Sequence, residues 1–336
     1  MFLRLMVSSI ICLLPLALSA QDIRYSRTDE YAELNRTGKN NTKEMAGKSN
    51  ENRDGQTDRI EDRTAIIKKS IRYSVLAAVP VNTYVVSLLT WDWGKTGAFR
   101  FGREGWFVHN TYTGGADKMA HLFAHYLIMR ILYNVYDYTE SGGSLKWAYS
   151  VGITGFLALG IEIGDGFCRN QNGFSYSDLI MGMMGIGTAA LLELFPAVDG
   201  FFSLSVEYFP TKYFQKNPQR LKWFMDDYSG WKFLANIKLA GFRYVGLKVP
   251  DFIKYIQFDV GYYTTGYTTY DYRWGELERT FNRKGRERNI YIGISVNLAE
   301  VIKDFFSDTN SLACRALQQP FTYYHVPLGA GHRFRL

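Results

Sequence analysis

The strongest constraint in this sequence is a change of hydrophobic period near Asp199. Before that point, Asp117 to Tyr138, Leu145 to Ile163 and Ser177 to Phe195 are long and apolar on most faces, a pattern that predicts helices buried in a bundle or facing lipid. After it, Phe201 to Phe209, Lys232 to Tyr244, Tyr255 to Tyr272 and Asn289 to Leu298 alternate with period two and are rich in Tyr, Phe, Val, Ile and Thr, which predicts strands. With the apolar run Ile71 to Leu89 as a further helix, the expectation is an α+β protein in which an apolar four-helix bundle is followed by a C-terminal antiparallel β-sheet. Four or five strands are too few to close a membrane barrel, which needs about eight. The charged stretch Glu276 to Arg288 reads as the turn of a long hairpin, and Phe321 to Val326 as a terminal strand.

The chain begins with Arg4, an apolar run from Leu5 to Leu18 and the small-residue exit Ser19-Ala20, the layout of a cleavable export signal. The run is short for a membrane span. Residues 21–70 then change composition abruptly: Tyr25 and Tyr31 are their only aromatics, and acids and bases alternate. Such a segment buries little apolar surface against its chain entropy, so it reads as a disordered charged tether, with a helix starting near Asp58 as the competing local reading. The predicted organisation is therefore a signal over 1–20, a tether over 21–70, a helical domain over 71–198 and a β-rich region over 199–336. Six glycines between Gly94 and Gly115 argue against regular structure there.

The compartment follows from the signal: an exported protein of the bacterial cell envelope, periplasmic or membrane-associated. Cys168 and Cys314 remain after signal removal and could make one bridge, which is no framework, so the core must hold the fold. The formal charge of +7 is modest and shows no basic stripe with interleaved aromatics, which excludes a nucleic-acid-binding surface. Apolar helices edged by Trp91, Trp93 and Trp106, with mild positive charge, point to membrane lipids as partners. The run Lys212, Lys216, Arg220 and Lys222 is a solvated face or a headgroup contact. No protein partner is legible.

Chemistry, if any, belongs to the polar residues inside the apolar helices, because ionisable groups there are costly to bury. A spacing of four puts Asp117, His121 and His125 on one helix face, with Lys118 beside them. Glu162 and Asp165 stand three apart on the next helix, and Asp178 opens the one after, where Ser177 is in capping position. Imidazoles and carboxylates at these spacings could hold a divalent metal, with His121, His125, Glu162 and Asp165 as its ligands, and lower the pKa of a bound water. Asp117, His121, Glu162, Asp165 and Asp178 without metal could instead run acid and base chemistry. The competing reading is a buried network in which Lys118 and the histidines neutralise the carboxylates. No Gly-x-Ser-x-Gly element occurs, and neither cysteine has a histidine nearby in sequence. His109, His325 and His332 stand singly, and ordinary surface or core roles suit them.

The segments Ala116-Asp117-Lys118-Met119-Ala120-His121, Gly160-Ile161-Glu162-Ile163-Gly164-Asp165-Gly166 and Gly173-Phe174-Ser175-Tyr176-Ser177-Asp178-Leu179, with Gly185, carry a resemblance. Over residues 110–196 the chain resembles the YfiM-like family of predicted envelope lipoproteins, whose function is unknown, and more distantly the VanZ-like membrane proteins. The resemblance implies that Asp117, Lys118, His121, Glu162, Asp165 and Asp178 belong together, and it carries no activity. His125 lies outside the pattern, and the chain departs from it in lacking a clear lipid-attachment cysteine. Two functions follow: a structural or binding role in the envelope, or a metal-dependent or acid-base hydrolase or transferase acting on a lipid or cell-wall precursor.

Overall fold

The computed structural model describes residues 51–90, 93, 95–102, 105–109, 111, 113–140, 143–168, 173–216, 224–247, 250–267, 285–306 and 312–336. The expected signal, the tether as far as residue 50 and most of the proposed hairpin turn lie outside them. The architecture is α+β, with helices first and an antiparallel sheet after them. Helix α1 is Glu51–Thr90, α2 is Ala116–Glu140, α3 is Leu145–Phe167, α4 is Tyr176–Leu194 and α5 is Pro196–Phe201. Strand β1 (Phe202–Tyr208) follows at once, then the short α6 (Lys212–Lys216), β2 (Trp231–Lys238), β3 (Ile256–Thr265), β4 (Glu287–Val296), α7 (Leu298–Asp304), α8 (Leu312–Tyr323) and β5 (Gly329–Arg335).

Two expectations are corrected. Residues 51–70 are helical, as the competing reading of a helix starting near Asp58 expects and a disordered tether does not, because α1 is continuous through the apolar stretch from Ile71 and retains Pro80 in its interior. Extending a helix that packing has already nucleated costs far less than starting one, so a charged segment can ride on it. The terminal strand lies at Gly329–Arg335, while Phe321 to Tyr323 belong to α8. The glycine-rich Gly329-Ala330-Gly331 carries no alternation of its own and takes its strand form by pairing with β4. Cys168 and Cys314 are buried and carry no disulfide.

The chain divides into two compact units. One comprises residues 51–82 and 131–150; the other comprises 83–130 and 151–336. In the first, Tyr136 stacks on Tyr149 and Tyr133 lies against Trp147, while the Arg72 guanidinium donates to the Thr139 carbonyl at the end of α2.

The second unit holds the whole sheet and the polar helix segments. Its strands form a simple meander, β1-β2-β3-β4-β5, antiparallel throughout. The register sets Val206 opposite Phe233, Phe233 opposite Tyr262, Tyr262 opposite Ile290 and Ile290 opposite Phe334. Side chains alternate across a sheet, so this row shares one face. At its β1-β2 end the first turns of α2 close over it: Ala116, Val206 and Phe233 are buried together, with Met119, Ala120 and Phe123 packed on them. Close approach of α4 to α2 requires Gly185, where an added Cβ would stand 2.1 Å from the Leu122 carbonyl oxygen. Buried Arg130 ties these helices further, with Nε 3.0 Å from Glu193 and its terminal nitrogens on both oxygens of Asp199.

Candidate functional site: two buried polar clusters

The helical cluster is built at three helix ends. Gly114 and Gly115 take left-handed backbone (φ 65 and 95) immediately before α2, a conformation suited to glycine, and so let the helix begin at Ala116. Thr113 just before this turn donates its hydroxyl to Asp117 at 2.5 Å. At the start of α4, Ser175 is the N-cap and accepts from the Asp178 amide, while its own amide donates to Glu162 Oε2 at 2.9 Å. The cap of one helix thereby fixes a carboxylate projecting from another.

Lys118 is 1 % exposed, with Nζ 2.8 Å from Asp117 Oδ2 and 2.9 Å from Asp178 Oδ1. His121 Nδ1 lies 3.8 Å from Glu162 Oε1. One potential ligand atom each from His121, Glu162 and Asp178 lies within 4.8 Å of the others, the spacing of a divalent-cation site. Of the residues assigned to a metal from the sequence, His121 and Glu162 are in this close set, Asp178 joins them, and His125 and Asp165 stand outside it among the described residues. The His125 ring stacks on His121, and its Nδ1 is 2.7 Å from the His121 carbonyl oxygen, which makes Nδ1 the donor. Burial, followed by the His121 charge, lowers its pKa to about 4. Asp165 accepts from the Trp93 indole at 2.7 Å, and burial raises its carboxyl to about 7 against that hydrogen bond, with Asp178 adding to the rise.

Charge decides what this arrangement can do. Three buried carboxylates, those of Asp117, Glu162 and Asp178, gather here around the Lys118 ammonium, with the His121 imidazole beside Glu162. Buried carboxylates gathered this closely are stabilised by cations, which is what a bound metal would supply.

The second cluster went unread in the sequence. It lies on the opposite face of the sheet from the Val206 row. Ser205 donates to Asn236, Asn236 donates to Asp259 and Gln257 donates to the same oxygen, at 2.6, 2.7 and 3.0 Å. His325, just beyond α8, sets Nδ1 2.7 Å from Glu207 Oε1 and Nε2 2.8 Å from Ser295 Oγ, and its amide donates to the Val206 carbonyl. Lys232 pairs with Glu207 and lies 4.3 Å from the Tyr291 ring centroid. Ser295, His325 and Glu207 follow the order of a hydrolytic triad. The triad reading fails on protonation, because Asp259 and Glu207 flank the imidazole and hold its pKa at about 9 despite burial. An imidazolium cannot take the Ser295 proton, and Ser295 itself is buried, with its hydroxyl donating to Asp259. This cluster is a closed set of two carboxylates and two cations. The signal that could have found it is the period-two polarity of Ser203, Ser205 and Glu207 in β1 and of Gln257 and Asp259 in β3; nothing in the sequence announced His325.

Residues 103–194 match a family model described as predicted periplasmic lipoproteins, DUF2279. The matched stretch contains every residue of the helical cluster and none of the sheet cluster. No curated protein and no solved structure matches the chain. The family description agrees with the expected compartment, and the protein is an exported protein of the cell envelope.

Proposed function

We propose that this envelope protein has a binding role centred on a divalent cation, held among its helix ends by His121, Glu162 and Asp178. The observation that carries this reading is the close approach of their three ligand atoms inside a buried, carboxylate-rich cluster. One imidazole and two carboxylates form a mixed nitrogen and oxygen donor set, which suits Mn2+ or Zn2+ better than an all-oxygen ion such as Ca2+. Lys118 neutralises Asp117 and shares Asp178, so it sets the charge the cation meets. The YfiM-like resemblance groups these residues and assigns them no reaction, in keeping with binding.

The protein is membrane-associated in this reading. Helices α3 and α4 are long and apolar enough to cross a membrane, and only 33 % and 50 % of their apolar windows are buried. A second reading, acid-base chemistry on a lipid or cell-wall precursor, draws on Asp165, whose carboxyl near pKa 7 is poised to exchange protons at neutral pH.

Elemental analysis of the exported, purified chain tests the main reading. About one equivalent of a transition metal is expected, reduced at least tenfold in Glu162→Gln with the far-UV circular dichroism unchanged. A metal-free wild-type chain that added Mn2+ or Zn2+ does not stabilise would refute it.

A further inference from the structure

The sheet is inside out for a protein in water. Its buried face carries Glu207, Asp259, Asn236, Gln257 and Ser295, each 6 % exposed or less. Its other face, beyond the part covered by α2, carries Phe258, Val260, Ile292, Ile294, Val296 and Phe334, each between 37 % and 51 % exposed. Soluble antiparallel sheets bury the apolar face and wet the polar one. A contiguous exposed apolar face marks an interaction surface. On this face Ile256, Phe258, Val260 and Tyr262 of β3 and Ile290, Ile292, Ile294 and Val296 of β4 carry no charge.

From this inversion we infer that the apolar face of the sheet is a membrane-docking surface whose occupant is the acyl-chain layer of an envelope bilayer. Several observations favour lipid over a protein partner. Along β3 and β4 the centre of the face is apolar, and the His332 imidazole sits opposite Ile292 on the edge strand β5. At one end of the sheet the β2–β3 connection carries Arg243, paired with Glu300, and the aromatics Tyr244 and Phe252, 46 % and 62 % exposed, and at the other end Arg288 stands with Phe107 and Tyr262. Aromatic and basic residues at the margins of an apolar band are the membrane-interface pattern. A chain with a net charge of +7 complements anionic headgroups. The same unit also exposes Phe156 and Leu159 on α3 and Met183 and Met184 on α4, apolar surface that lipid covers without a dedicated partner.

The sheet is seated on the bilayer and does not cross it. Among the described residues β5 pairs only with β4, so its outer edge presents bare backbone groups, which the hydrocarbon interior does not tolerate and the headgroup layer does. The inference rests on the membrane-associated reading above and adds the surface that makes the contact.

Flotation tests it. The full exported chain, transferred from mild detergent to vesicles of phosphatidylethanolamine and phosphatidylglycerol, is compared with Ile292→Asp/Ile294→Asp and with Ile292→Ser/Ile294→Ser, which keeps the fold under gentler change. The wild type is expected to float, the aspartate pair to lose at least tenfold in bound fraction and the serine pair to lose less, with melting temperatures measured off vesicles unchanged. A wild type that floats alongside equally buoyant variants would overturn the sheet inference and leave membrane association standing. A wild type that does not float overturns both. So does a wild-type dimer that the aspartate pair converts to monomers without any vesicle binding, since the face would then be a contact between copies.

Discussion

The helical cluster and the sheet cluster use the same materials, histidine, lysine and carboxylates, and both are buried, yet they arrange them differently. In the sheet, Glu207 and Asp259 meet Lys232 and His325, and each carboxylate is hydrogen-bonded to at least two neighbours. In the helices, Asp117 and Asp178 share the Lys118 ammonium, while Glu162 accepts from the Ser175 amide and faces the His121 imidazole at 3.8 Å. A buried set with balanced charge is complete as a structural element. A set whose imidazole and carboxylates converge in a ligand-like arrangement suits a further ion, and that difference is why the helical cluster is assigned the binding role.

The contrast predicts opposite responses to substitution. Asp259→Ala, the most damaging change, leaves His325 and Asn236 facing an empty acceptor, and a broken buried ion pair costs about 3–5 kcal/mol; urea denaturation should show it, and divalent cations should not repair it. Lys118→Met should cost about 3 kcal/mol by the same mechanism, but here Mn2+ at a hundred times its Kd should return about 2.7 kcal/mol, because the added negative charge tightens the site. If cations fail to rescue Lys118→Met, or rescue Asp259→Ala equally, the distinction collapses.

The pH dependence separates the clusters further. His325 is raised in the folded state to about 9, so its contribution is full below its unfolded pKa near 6.5 and is lost as pH rises through 9. Wild type should therefore exceed His325→Gln in stability below pH 6.5, and this advantage should fade between pH 6.5 and 9. Asp165 is also raised, to about 7, but as a carboxyl it binds more protons folded than unfolded between its ordinary value of 3.8 and 7, so folding weakens as pH climbs through that window. Asp165→Asn should flatten that decline in a series of thermal melts. The smallest effect belongs to Lys232→Met. Its side chain is 22 % exposed and its partners are Glu207 and the Tyr291 ring, so a loss of about 1 kcal/mol is expected.

Much of the fold was legible, because period decides element type. The apolar runs before Asp199 became α2, α3 and α4 within a few residues at each end, and four of the five strands were found by alternation. Where another element imposes the conformation, the signal fails: β5 has no pattern of its own, and residues 51–70 are helical by continuity with α1. The helical cluster could be read because spacing of four along α2 and three along α3 is a local property. That Asp178, and not Asp165 or His125, completes the close set depends on the Ser175 amide aiming Glu162, a contact between elements that spacing does not encode. The sheet cluster was missed because a period-two reading credits the apolar residues with the core, and here the apolar face is the outer one.

The most direct test of the account is isothermal titration of the metal-stripped full chain with Mn2+, run beside Asp178→Asn and Lys232→Met. The account predicts one ion per chain for wild type and for Lys232→Met, and at least tenfold weaker binding for Asp178→Asn with its fold intact. Absence of binding at millimolar Mn2+ and Zn2+, or equal binding by all three proteins, would contradict it.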